Sequence, residues 1–168
     1  TIAPHSLWAY MQRPTPDSQD MTQTIPKAPF ILGLSGLLPF IWGAMSHASP
    51  EIMAWGANWV GAGLLGTEVQ TSYGVVILSF MSGVLWGFAT KAQGLKAAAC
   101  YAMSVLPALW AFFVVYSGLD SKTSYLMIGF VGLLILDVVF YRLGLTPRWW
   151  LRLRLLLSAI VLGCLSLS

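Results

Sequence analysis

A single carboxylate, Asp137, stands in an otherwise apolar run, YLMIGFVGLLILDVVFY. A cluster of arginines follows it: Arg142, Arg148, Arg152 and Arg154. A carboxylate inside an apolar helix faces protein or water, because lipid solvates its charge poorly. Two chemistries suit such a group. It can close an ion pair through charge-assisted hydrogen bonds, or it can relay protons or ions. A relay needs further intramembrane polar groups, and the apolar runs supply few. Asp137 lies five residues before Arg142, and a second apolar run, LLLSAIVLGCLSL, follows the basic turn. Folding that run back brings Arg152 or Arg154 to the depth of Asp137. The expectation is a structural ion pair between Asp137 and Arg152 or Arg154, clamping a hairpin of two helices.

The other reactive side chains form no catalytic constellation. His5 and His47 fall on opposite sides of the topology derived below, so they cannot share one metal or haem, and no ligand cluster accompanies either. Ser79, Ser82 and Ser104 have no histidine and acid beside them in the pattern. Cys100 and Cys164 fall near opposite membrane faces, whereas a disulfide needs Cα atoms within about 7 Å. The expectation is a protein that is not an enzyme, with no catalytic residue, no metal and no cofactor.

These residues must be positioned by membrane helices. Of 168 residues, 57% are hydrophobic and 9% are charged, against roughly a quarter charged in a soluble domain. So few charges cannot cover a water-facing surface. The net charge of +3 is small, and no basic run or nucleic-acid motif is present, which sets nucleic acid aside as a partner. The fold class expected is all-α: a polytopic integral membrane bundle of about five transmembrane helices.

Residues 1–27 read as a polar tail, kept from long helix by Pro4, Pro14, Pro16 and Pro26. A short amphipathic turn around Leu7, Trp8, Tyr10 and Met11 could lie on a membrane or a partner. The tail lacks the apolar core of a cleavable signal peptide, so the first apolar helix is expected to act as an uncleaved targeting signal. Residues 28–168 read as the bundle, with helices over 28–45, 72–89, 97–117, 124–141 and 149–167. Pro39 and Pro107 predict kinks, and Pro39 would free the carbonyl of Ser35. Residues 48–71 form a connection whose apolar part, 52–66, is interfacial or re-entrant. Trp55 and Trp59 share a face there at headgroup depth. Ser79, Gly83 and Gly87 recur every four residues, a stripe that lets helix backbones touch. Packing within the chain is the expected use, and a contact between subunits is the alternative.

Basic residues set the orientation. Five spans put Arg13, Lys27, Lys91, Lys96, Arg142, Arg148, Arg152 and Arg154 on one side and leave Lys122 on the other, 8 against 1 of the 9 basic residues. The positive-inside rule then places the N-terminus in the cytoplasm and the C-terminus across the membrane. Treating 52–66 as a sixth span reduces the contrast to 3 against 6.

The runs FILGLSGLLPFIWGA and YGVVILSFMSGVLWGFA, followed by LDVVFYR and RWWLRLRLLLSAIV, occur in an order and spacing that resembles the bacterial and mitochondrial membrane family that includes transmembrane protein 69. That family is named as a domain of unknown function. The resemblance spans roughly residues 29–165 and implies a multi-span fold in a bacterial inner membrane, or alternatively the mitochondrial inner membrane. It implies no catalytic residue.

Three functional classes follow. An accessory or assembly subunit of a larger respiratory or photosynthetic complex is the first, with the lipid bilayer and other membrane subunits as partners. A small solute or ion transporter is the alternative, although no repeated half is visible. A lipid-modifying enzyme would need an acid, base or metal set that the sequence lacks.

Overall fold

A computed structural model describes residues 24–116 and 122–167. The amphipathic turn expected at Leu7–Met11, together with His5, Arg13 and Asp120, lies outside the described residues. Every regular element among the described residues is helical: α1 (Lys27–Ser35), α2 (Leu38–Ala48), α3 (Pro50–Trp59), a 3-10 turn (Ala62–Leu64), α4 (Gly66–Ala89), α5 (Gly94–Tyr116), α6 (Lys122–Arg142) and α7 (Trp150–Ser166).

Four stretches are long and apolar enough to cross a membrane: Lys27–Ala48, Gly66–Ala89, Gly94–Val115 and Lys122–Arg142. Bulky apolar side chains point outward from them, among them Leu32, Phe80, Phe113 and Ile135. Such an exterior suits hydrocarbon and would be a liability in water. At 17 residues, α7 is shorter and carries Arg152 and Arg154 near its start.

The first apolar stretch is two helices rather than one kinked helix. The Gly36 and Leu37 amides bond back to the carbonyls of Leu32 and Leu34, both at 3.0 Å, and close α1. Pro39 then sits in the first turn of α2, where its missing N–H is harmless. The Ser35 hydroxyl bonds to the Ile31 carbonyl at 2.9 Å. Pro107, by contrast, lies inside an uninterrupted α5.

The connection after α2 resolves into α3 and the 3-10 turn. The ten residues of α3 span about 15 Å at 1.5 Å per residue, half a hydrocarbon core. The Ser49 side chain caps it by accepting from the Ile52 amide. Trp42 of α2 anchors the segment through its indole N–H to the Leu64 carbonyl at 2.9 Å. Trp55 and Trp59 stay exposed with ring centroids 6.5 Å apart.

The centre of the bundle is α4, which packs against α2, α5 and α6. Its buried face is Gly66, Val69, Gln70, Gly74, Leu78, Met81, Ser82, Leu85 and Ala89, a helical period throughout. The backbones meet closely where that face carries glycine. A side chain at Gly74 would enter Leu126 of α6, and one at Gly43 of α2 would approach the Gly66 carbonyl to 2.8 Å.

The Ser79–Gly83–Gly87 stripe is a correction to the expected packing. All three residues are exposed, and a Cβ placed at Gly83 or Gly87 meets nothing within 4 Å. The stripe is rotated away from the 74–78–82–85–89 face, so it does not pack against the other described residues of this chain. The spacing of small residues marks a smooth helix face but not the direction in which it points.

Candidate functional site

The strongest concentration of buried polarity lies in the hairpin of α6 and α7. The helix-ending turn is set locally. Gly144 adopts φ 72°, a left-handed conformation that suits glycine. The Leu145 amide reaches the Phe140 carbonyl at 3.1 Å and the Gly144 amide reaches Tyr141 at 3.0 Å. This paired reversal terminates α6. Pro147 follows, and its carbonyl accepts from the Trp150 amide at 3.1 Å as α7 begins.

The turn is tied to the preceding loop by two lysines. Lys91 donates to the Leu145 carbonyl at 3.1 Å, and Lys96 donates to the Leu143 carbonyl at 3.2 Å. Cations thus serve carbonyls of the turn just beyond the C-terminal end of α6. Lys91 also sits 5.5 Å from the centroid of Phe88, whose ring meets Trp150 edge-on at 5.1 Å.

Below this lid, Asp137 is completely buried. Its Oδ2 accepts from Arg154 Nε at 2.9 Å, and its Oδ1 accepts from Trp150 Nε1 at 2.8 Å. Trp150 and Arg154 are four residues apart, hence neighbours on one face of α7. Arg152 lies about 200° from Arg154 around the helix and is exposed. The sequence left Arg152 and Arg154 as alternatives; the partner of Asp137 in the structure is Arg154.

Both carboxylate oxygens are engaged and the charge is matched, so the geometry is that of a latch between helices. Trp150 is the member that the sequence reading missed. Its signal was its phase: Trp150, Arg154, Ser158, Val161 and Leu165 recur at the helical period. Trp150→Phe keeps a ring against Phe88 but removes the indole donor. Its expected effect is a loss of about 1–2 kcal/mol in unfolding free energy, measured by denaturant unfolding in detergent.

A second buried polar group ties three helices. Gln70 of α4 donates through Nε2 to the Phe40 carbonyl of α2 at 2.9 Å and to the Cys164 carbonyl of α7 at 3.2 Å. Nearby, the Ser46 hydroxyl oxygen accepts from the Gly66 amide at 2.9 Å. Cys100 is buried, Cys164 is half-buried, and no disulfide joins them. His47 is exposed in the last turn of α2. Among the described residues, no group of three His, Cys, Asp or Glu side chains could hold a metal ion.

No curated protein and no solved structure matches the chain. The family model described as "protein of unknown function (DUF3429)" matches residues 25–168, which takes in every helix from α1 to α7. The chain therefore belongs to the DUF3429 family.

Proposed function

We propose that this chain is a non-catalytic, multi-pass inner-membrane protein that serves as an accessory or assembly subunit of a larger bioenergetic complex. In this reading α7 is a fifth span, the basic loops face the cytoplasm, and the membrane is a bacterial inner membrane. Kinship with transmembrane protein 69 would extend the same role to the mitochondrial inner membrane.

The observation that carries the reading is how the chain divides its polar and apolar faces. Its buried acid is committed to a latch, while α4 turns the smooth stripe of Ser79, Gly83 and Gly87 outward. A helix of another subunit can approach such a face closely, gaining dispersion contacts that lipid tails match poorly. Exposed Phe80 and Trp86 lie on the outside of the same helix.

Gly83→Leu and Gly87→Leu test this directly. Both side chains project into open space, so the isolated chain should keep its unfolding free energy within about 1 kcal/mol. Gentle detergent extraction followed by native electrophoresis should show the wild-type chain in a larger assembly and the double variant released from it. Extraction of the wild-type chain alone, or identical migration of the variant, counts against the proposal. Solute uptake by vesicles containing only this chain would favour a transporter instead.

A further inference from the structure

A groove of about 540 Å³ opens between α1, α4 and α7. Its walls include Leu37, Phe40, Tyr73, Phe80 and Leu157. That volume falls within the range of small-molecule sites. Four residues with polar atoms line it, Tyr73, Trp150, Arg154 and Ser158, and the Trp150 indole N–H is already given to Asp137. The Arg154 side chain is 7% exposed and Ser158 is 1% exposed. Arg154 Nη2 and Ser158 Oγ are buried and have no hydrogen-bond partner among the described residues. They lie four residues apart, on one face of α7.

The serine is unusual for this chain. Ser35 and Ser79 each turn the hydroxyl back to the carbonyl four residues earlier, at 2.9 Å. Ser46 does the same to Trp42 at 2.8 Å. Ser158 makes no such bond. Buried polar groups are ordinarily matched, so two unmatched donors on residues that line one groove point to an acceptor from outside the chain.

Charge defines the acceptor. Arg154 already gives Nε to Asp137, and the pair is neutral. A phosphate or carboxylate added at Nη2 would leave the buried cluster with a net negative charge, which an apolar interior disfavours. A neutral carbonyl oxygen takes the same hydrogen bonds without that penalty. The rim defines the rest of the ligand. Leu32, Val76 and Phe80 border the mouth and are 72%, 58% and 63% exposed, so entry is through an apolar surface.

We propose that this groove binds a neutral, lipid-soluble molecule through its carbonyl oxygen, with Arg154 Nη2 and Ser158 Oγ as the hydrogen-bond donors. An isoprenoid quinone and the ester of an uncharged glycerolipid share this chemistry. Trp150 also lines the groove and supplies a reporter.

The full chain, purified in detergent, is titrated with a decyl-tailed benzoquinone and separately with a short-chain diacylglycerol. Decylbenzene is the control without a carbonyl. Binding is read by calorimetry and by tryptophan fluorescence. At least one carbonyl probe should bind, and the one that binds more tightly identifies the source. Ser158→Ala should weaken that probe about three- to tenfold. Ser158→Leu should fill the groove and abolish binding, with circular dichroism confirming that the variant is folded. Equal affinity for decylbenzene, or unchanged affinity in Ser158→Ala, overturns the proposal. So does tighter binding of decanoate than of its methyl ester. Failure of both carbonyl probes to bind overturns it too.

Discussion

Asp137→Leu and Arg154→Met should each lower the unfolding free energy by about 3–5 kcal/mol. Each leaves one charge buried without its partner, in a hairpin where Asp137 is fully enclosed. Asp137→Asn should fall between these variants and the wild type: it keeps an acceptor for Trp150 but removes the countercharge of Arg154. The double variant Asp137→Leu/Arg154→Met should recover much of the loss, because two apolar side chains need no compensation. Recovery stops short of wild type, since the Trp150 indole N–H then lacks its acceptor, a deficit of about 1–3 kcal/mol. Equilibrium unfolding in mild detergent gives all the free energies. Additive losses across the double-mutant cycle would show that the two side chains do not act as a pair.

Gly43→Ala should produce the largest effect of any single added methyl. The new Cβ would lie 2.8 Å from the Gly66 carbonyl and 3.0 Å from Val69, and it would also strike Gln70. The backbone at Gly66 cannot yield easily, because its amide is held by Ser46 at 2.9 Å and its φ is +53°. Gln70 cannot move aside without loosening its bonds to Phe40 and Cys164. Overpacking of this kind costs about 1–3 kcal/mol, and losing the glutamine bonds adds about 1 kcal/mol. Gly132→Ala is the matched control: its Cβ meets nothing within 4 Å, so stability should hold or rise by up to about 1 kcal/mol. Thermal melts of the two variants side by side check the contrast, and equal melting temperatures would contradict it.

The helical, membrane-compatible character of the chain was legible because it rests on run length and charge scarcity. The candidate pair was legible in part, because Asp137 is the one carboxylate inside those runs. The choice between Arg152 and Arg154 was not legible. Two residues along a helix reverse direction, so the answer depends on where α7 starts and which way it rolls. The reading of α4 failed in a related way. Lipid is as apolar as the core, so hydropathy along α4 does not distinguish the buried 74–78–85 face from the outward 79–83–87 face. The sequence reading starts this helix at residue 72 and leaves 48–71 as a connection. The helix begins at Gly66, and Gln70 is completely buried because backbone carbonyls of two other helices receive its amide. The break at Gly36 was masked by Pro39. The proline announces a disturbance, but the reversing bonds of Gly36 and Leu37 place it a turn earlier.

The latch joins residues only 17 apart in sequence. A loop that short closes with little entropic penalty, and the glycine reversal at Gly144 already points the two arms at each other. The α6–α7 hairpin can therefore pair its buried acid and base by itself, before the remainder of the bundle has gathered round it. An acid and a base that would each be expensive passengers in lipid travel as one neutral cargo. In the five-span reading proposed above, the α6–α7 hairpin would enter the bilayer as a single unit.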